Sequence, residues 1–278
     1  MSSEDARRLE VAIRAAREGG RLAREHLGDP LYIKIKGRRD VMVGASLKVQ
    51  DAIRDILLSE FPSDAVLGEE GDEDEVLPVD AEHLWVVDPI DGTVNFLQQL
   101  PFFSISLAYR DALGFRVGVV YDPMRDELFS ATIGGGAFLN GEPIVIHRPG
   151  EGEDVYEQML IGTDLPGDGA LRLDAMRAAT HLSNRMLGIV ILGSPALGLC
   201  YIASGRTHGY VHLKLQLWDV AAGALILQEA GGIFTNLTGG SWLYSDGGYL
   251  ATNGAIHGVL LRLLKTALPE APKVPPSP

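Results

Sequence analysis

Leu9, Ile13, Ala16, Gly20, Ala23 and Leu27 recur at intervals of three and four residues, with Arg7, Glu10, Arg14, Arg17, Glu18 and Arg21 between them. That spacing predicts an amphipathic helix with one face on a core, closed by Gly28-Asp29-Pro30. A second helical pattern runs from Leu47 to Glu60, with Val49, Ile53, Ile56 and Leu57 on one side and Phe61-Pro62 after it. From Ala65 the period shortens. Apolar runs at Ala65 to Leu67, Leu84 to Val87, Phe103 to Tyr109, Arg116 to Tyr121 and Glu127 to Ala131 predict a mainly antiparallel sheet. Asn140-Gly141, between Gly136 to Leu139 and Pro143 to Ile146, predicts a two-residue hairpin, because a type I′ turn needs positive φ at both central positions.

The polar stretch PGEGED after Arg148 predicts a boundary between two fused lobes. Residues 1–148 would form an N-terminal α+β lobe and residues 149–268 a C-terminal α/β lobe, with the Pro-rich residues 269–278 a disordered tail. In the second lobe, strands at Met159 to Gly162 and Gly188 to Leu192 alternate with helices near Leu171 to His181, Ala196 to Ser204 and Val220 to Ala230. No internal repeat is visible. Met186 to Ser204 is uncharged over 19 residues, close to a bilayer span, but Gly188, Gly193, Pro195 and Gly198 interrupt it. A buried strand followed by a buried helix fits those breakers better.

Three acidic turns stand where chemistry is expected. Gly68-Glu69-Glu70-Gly71 follows the Ala65 strand and leads into Asp72 to Glu75; it reads either as a solvated acidic loop or as a ligand-bearing strand end. Asp88-Pro89-Ile90-Asp91-Gly92-Thr93 ends the next strand in a tight turn. Its two carboxylates and the carbonyl between them suit a hard cation such as Mg²⁺, although turns also select Asp, Pro and Gly for backbone reasons. Trp218-Asp219-Val220-Ala221-Ala222-Gly223 places Asp219 at the start of an Ala-rich helix, as an ordinary N-cap or beside a phosphate site.

Composition narrows the function. The 278 residues carry 24 Lys plus Arg against 37 Asp plus Glu, a net charge of -13, which disfavours non-specific binding to nucleic acid or to anionic membranes. An anionic substrate would then need a local source of positive charge. One cysteine, Cys200, excludes an internal disulfide and a multi-cysteine zinc site. The start MSSEDARRLE lacks the pattern of an export signal, so the expected location is cytoplasmic.

Taken together, these motifs resemble the inositol monophosphatase family, Mg²⁺-dependent, Li⁺-sensitive phosphatases related to fructose 1,6-bisphosphatase. The matching segments are Gly68 to Glu70, Trp85 to Phe96, Gly118 to Pro123, Gly136 to Gly141, and Trp218 to Gly223 with Glu229 to Gly232. The resemblance implies an α+β fold of alternating α and β layers (αβαβα, the sugar phosphatase type), often a homodimer. It implies a phosphomonoesterase in which water activated by two or three Mg²⁺ ions attacks a small phosphorylated metabolite of the inositol phosphate, sugar phosphate or bisphosphate class. By position, the metal ligands would be Glu69, Asp88, the Ile90 carbonyl, Asp91 and Asp219. Glu69, Asp88 and Thr93 would serve catalysis, and Asp91, Gly92, Thr93, Gly193, Ser194, His212 and Asp219 would meet the substrate.

Some positions depart from the family pattern. Ser46 stands where an Asp commonly helps Thr93 polarise the attacking water, and His212 and His208 stand where acids are common. Pro195 removes an amide from the Gly193-Ser194 turn. The histidines would be solvated or core residues, or donors to substrate that become cationic near pH 6.5. Because of Ser46, a phosphate- or polyol-binding homologue with impaired turnover stands as the alternative to an active phosphatase.

Overall fold

The computed structural model describes residues 2–29, 33–37, 40–70, 81–148, 153–243 and 247–268, with backbone alone for 33–37, 40–43, 153 and 154. The chain opens with α1 (Ser3–Glu25), the hairpin β1 (Ile33–Gly37) and β2 (Asp40–Val43), and α2 (Gly44–Glu60). Ser2 caps α1: its Oγ accepts from the Asp5 N–H at 3.0 Å, which satisfies a free first-turn amide. The hairpin between the two helices is absent from the hydrophobic pattern.

Next come β3 (Ala65–Gly68), β4 (Leu84–Asp91), the short α3 (Thr93–Leu97), β5 (Ser104–Asp111), β6 (Gly114–Asp122), β7 (Glu127–Thr132), β8 (Gly136–Leu139) and β9 (Glu142–Ile144). These strands lie side by side in chain order. β3 runs parallel to β4, and each later pair is antiparallel. The β8–β9 hairpin turns at Asn140 (φ 51) and Gly141 (φ 84), the double positive φ that its sequence predicts. α4 (Glu153–Tyr156), β10 (Leu160–Thr163), α5 (Gly169–Ser183), β11 (Gly188–Ile191), α6 (Pro195–Ala203), β12 (Gly209–His212), α7 (Leu217–Glu229), β13 (Ile233–Asn236), β14 (Tyr249–Thr252) and α8 (His257–Ala267) complete the described chain. Their strands form a second, mixed sheet in the order β11-β10-β12-β14-β13. The expected PGEGED boundary (in part), the acidic run after Gly71 and the Pro-rich tail lie outside the described residues.

The layers follow from strand alternation. Along β4, Trp85 and Val87 point into one core with Ile53, Ile105 and Val119, beneath α1 and α2. Leu84 and Val86 point the other way, into a core shared with Leu197, Cys200, Val220 and Ile226 of α6 and α7. A sheet buried on both faces in this way reads as a continuous apolar run rather than an alternating one. α6 also touches β10, β12 and β14, so α6 and α7 are the middle layer. A third core, with Ile161, Val211, Leu250 and Leu260, joins the second sheet to α5 and α8. The result is an α+β fold of αβαβα layers, as expected. The uncharged stretch from Met186 is split between β11 and α6, and among the described residues no helix is long and apolar enough to cross a membrane.

Close packing of the middle layer rests on glycines. A Cβ at Gly118 of β6 would come within 2.8 Å of the Ala222 carbonyl oxygen of α7, and one at Gly198 of α6 within 2.3 Å of the fully buried Tyr210 ring. Gly198→Ala is therefore expected to destabilise the protein by about 1–3 kcal/mol through overpacking. Urea unfolding measures this; a variant as stable as the parent contradicts the α6–Tyr210 contact.

Candidate active site

The two carboxylates of the Asp-Pro-Ile-Asp turn converge because β4 carries a bulge. Asp88 pairs with Ser106 and Asp91 with Ser104, so β4 has one residue more than β5 in that interval. In a regular strand, positions 88 and 91 would face opposite sides; the extra residue returns both to the side of α6 and α7. Pro89, which cannot donate to a ladder, is tolerated at such a bulge. The Ile90 N–H donates to Asp88 Oδ1 at 3.1 Å, and the Thr93 hydroxyl donates to the Ile90 carbonyl at 3.2 Å. Gly92 closes the turn at φ 100, and a Cβ there would lie 2.8 Å from the Gly193 carbonyl oxygen. Positive φ and this close approach both require glycine.

Glu69 follows β3, its N–H donating to the Val87 carbonyl at 3.1 Å. The next residue is held from α2: Gln50 Oε1 accepts from the Glu70 N–H at 2.9 Å, and Gln50 Nε2 donates to the Glu70 carbonyl. Asp219 arrives from the second half of the chain. Its sequence suggested an N-cap, but Gln216 is the cap and Asp219 lies within the first turn of α7, where its Oδ2 accepts from the Gln216 N–H at 2.7 Å.

Oxygens of Asp88, Asp91 and Asp219 all lie within 4.8 Å of one another. Asp88 and Asp91 are only 1% and 2% exposed. Burial pushes the Asp88 carboxyl well above the usual range, and the Glu69 carboxylate beside it adds to the shift. Asp219 is raised in the same way, by burial and then by Glu69. Asp91 is pushed up to about 7 by burial, although hydrogen bonds from Ser194 and Ser104 oppose the shift. Like charges packed in a dry site without a cation ionise with difficulty. Buried carboxylates joined by a backbone carbonyl are the donor set of a hard divalent ion, so these residues fit a metal.

Around the acids lies a cleft of about 290 Å³ whose lining includes Glu69, Ile90, Gly92, Thr93, Gly193 and His212. Gly193 and Ser194 are already engaged. The Gly193 N–H donates to Asp164 Oδ1 at 2.6 Å, while the Ser194 hydroxyl and the Ala196 N–H (3.1 Å) both donate to Asp91 Oδ2. Asp91 thus occupies the amino terminus of α6, and the lost amide of Pro195 leaves this contact intact. Asn95 clamps the same turn, its Nδ2 donating to the Leu192 carbonyl at 2.8 Å.

The two histidines part company. His212 lines the cleft, but burial pushes its pKa down to about 3, so of the readings its sequence left open it is a neutral, buried ring and not a donor that becomes cationic near pH 6.5. Its Nδ1 accepts from the Lys214 N–H at 3.1 Å, which leaves the proton on Nε2. His208 lies at the other end of β12, four residues or ~13 Å along the strand, outside the cleft. Ser46 sits in the first turn of α2, 1% exposed, its hydroxyl without a hydrogen-bond partner among the described residues, and it does not line the cleft.

Sequence reasoning missed Asp164 and Lys214, which also line the cleft. Asp164 follows β10, accepts from the Tyr210 hydroxyl as well as from Gly193, and is pushed up to about 6 by burial. Its setting, an acid ending a strand just before a Leu-Pro step, is close to that of Asp88 and was the available signal.

The family model described as the inositol monophosphatase family matches residues 4–268. The chain is 35% identical over 274 residues to a protein named Nus factor SuhB in Escherichia coli strain K12, covering 95% of this chain and 98% of that one. It is also 35% identical over 269 residues to the inositol-1-monophosphatase of Rhizobium meliloti, covering 94% and 97%. A solved IMPase of Thermotoga maritima superposes with a TM-score of 0.85 at 32% identity, over 95% of this chain and 99% of that one.

Proposed function

Since the chain belongs to the inositol monophosphatase family and is by that membership a phosphoric monoester hydrolase, we propose that it hydrolyses a small phosphorylated metabolite in a Mg²⁺-dependent reaction. The observation that carries this reading is the buried convergence of Asp88, Asp91 and Asp219 beside Glu69 in one cleft. Glu69, Asp88, Asp91, Asp219 and the Ile90 carbonyl would hold the metal. When bound, Mg²⁺ supplies the positive charge that the cleft lacks and acidifies water for attack on phosphorus.

The chain's own groups do the rest. The Thr93 hydroxyl donates a hydrogen bond to the Ile90 carbonyl, so its oxygen remains an acceptor able to orient a water. Neutral His212 presents an N–H donor to a substrate hydroxyl where an acid would present an acceptor. Ser194, Ser104 and the Ala196 amide fix the Asp91 carboxylate from behind. Lys214, the basic residue of the lining, offers a counter-charge to a second anionic group on the substrate.

Release of inorganic phosphate from a panel of inositol, sugar and nucleotide phosphates, with Mg²⁺ and with chelator, tests the reading. Chelator-sensitive release from at least one member is expected; none from any member contradicts it. Lys214→Ala is expected to raise KM for a bisphosphate by ~10-fold while changing KM for a neutral-alcohol monophosphate little, since an interfacial charged hydrogen bond is worth roughly 1.5–3 kcal/mol. Equal changes for both substrates would remove Lys214 from substrate selection.

A further inference from the structure

At the far end of α6 from the acidic cleft lies a second cavity, about 320 Å³ in volume, that shares no lining residue with the first. The nine residues of α6 separate the two, or ~13 Å at the rise of an α-helix. Its polar lining is Thr207, His208, Asn253, His147 and Arg148, with no carboxylate among the described residues. In a chain of net charge -13, a cavity whose described polar lining is His, Arg, Thr and Asn is a local exception to the overall field.

Arg148, which is exposed, and the more enclosed Asn253 and His208 each make a hydrogen bond that orients them. Arg148 donates to the Gly231 carbonyl at 3.3 Å, and its guanidinium lies so close to Gly254 that a Cβ there would come within 2.9 Å of Arg148 Nε. Asn253 Oδ1 accepts from the Ala255 N–H at 3.2 Å, which points the amide's donating end away from that turn. His208 Nδ1 accepts from the Leu160 N–H at 3.1 Å, so the neutral ring carries its proton on Nε2. Thr207 is 3% exposed, and its hydroxyl has no hydrogen-bond partner among the described residues. A buried hydroxyl left unmatched costs stability, which asks for a ligand at this position. The terminal carbonyls of Cys200, Tyr201 and Ile202 are taken up by amides of the following turn, from Ser204, from Arg206 and Thr207, and from Gly205, which reduces their opposition to an anion and leaves the cationic Arg148 to offset the rest.

We propose that this cavity is a second anion site, in which Thr207, His208, Asn253 and Arg148 bind a phosphate-sized oxyanion, either free inorganic phosphate or the phosphate group of a small ester. It does not depend on the acidic cleft being catalytic.

Chelator separates the two sites, because without metal the acidic cleft repels phosphate. Calorimetric titration of the full chain with inorganic phosphate in chelator is expected to show one saturable equivalent. Thr207→Val, which removes the hydroxyl at nearly constant shape, and Arg148→Gln should each weaken that binding by about 10-fold or more, the worth of a charged hydrogen bond. Both variants should keep the parent's kcat and KM for any phosphomonoester turned over with Mg²⁺. Thr207→Val should also raise Tm without phosphate, because an unmatched buried donor has been removed; a role confined to packing predicts no change in phosphate affinity. A parallel titration with glycerol 3-phosphate identifies the source: tighter binding of phosphate names the free ion, tighter binding of the ester names a metabolite, and either supports the site. Absence of saturable binding in chelator, or parental affinity in both variants, overturns it.

Discussion

Asp219→Asn is expected to lower turnover by ~10³-fold or more while raising the Tm of the metal-free protein. The first effect follows from charge and geometry: Asp219 is the carboxylate that α7 brings to the pair on β4, and losing one preorganised electrostatic partner in a dry site typically costs about 10²–10³ in rate, more where a metal also depends on it. The second follows from the same crowding. Burial and the nearby Glu69 hold the Asp219 carboxyl well above its usual range, so the ionised group is under repulsion that a neutral amide lacks. Asn can still accept from the Gln216 N–H, and the start of α7 is kept. The rise in Tm should be small near pH 4, where the acid is already neutral, and grow with pH. Phosphate release against Mg²⁺ concentration, with thermal unfolding in chelator, measures both. A variant with parental Mg²⁺ affinity and lower metal-free stability contradicts the cluster as a metal site.

The metal-free parent should lose stability as pH rises from about 4 to about 7, by on the order of 10 °C in Tm. Asp91 is pushed up to about 7 and Asp164 to about 6, whereas both titrate near 4 in an unfolded chain. Between those values the folded state binds more protons than the unfolded state, so stability falls with rising pH and levels off above the folded values. Metal binding reverses the trend, because the ligands must give up the retained protons. Mg²⁺ affinity should therefore rise over the same interval, with proton release that calorimetry in buffers of different ionisation enthalpy detects. A metal-free Tm that is flat from pH 5 to 7 contradicts the buried, repelling cluster.

These residues differ in how far the sequence disclosed them. Asp88 and Asp91 were legible because an apolar strand running into Pro and Gly marks a tight turn, and the β4 bulge is the form that turn takes. Asp219 was legible as a residue at a helix start but not in register, since whether Gln216 or Asp219 caps α7 depends on backbone angles that apolar spacing does not encode. The layers were legible where periods are long, as in α1 and β4 to β7. In the second sheet β10 and β11 were legible as apolar runs, but β12, β13 and β14 mix apolar and polar residues over four positions each and take their places by packing on α6, α7 and α8. His212 shows the consequence. Its place in the cleft was foreseen, but its charge was not, because the burial that lowers its pKa comes from neighbours such as Tyr249 on β14, which stacks on the ring at 6.5 Å. Asp164 and Lys214 were missed for the same reason, being single polar residues in loops whose position only the second sheet defines.

Ser46 bears most directly on whether the family's chemistry operates in this chain. Its hydroxyl is buried and is not part of the cleft lining, so this position offers Thr93 no carboxylate, and where such acid–base help is lost the rate typically falls about 10²–10⁴-fold. Loss of that help slows a metal-dependent hydrolase without abolishing it. The decisive measurement is the rate of inorganic phosphate release by the full chain from its best panel substrate, followed through addition of Mg²⁺, then chelator, then excess Mg²⁺. A slow rate is expected that appears with Mg²⁺, vanishes with chelator and returns. Saturable binding of the phosphomonoesters with no phosphate released at any Mg²⁺ concentration would contradict it and make the protein a binding homologue.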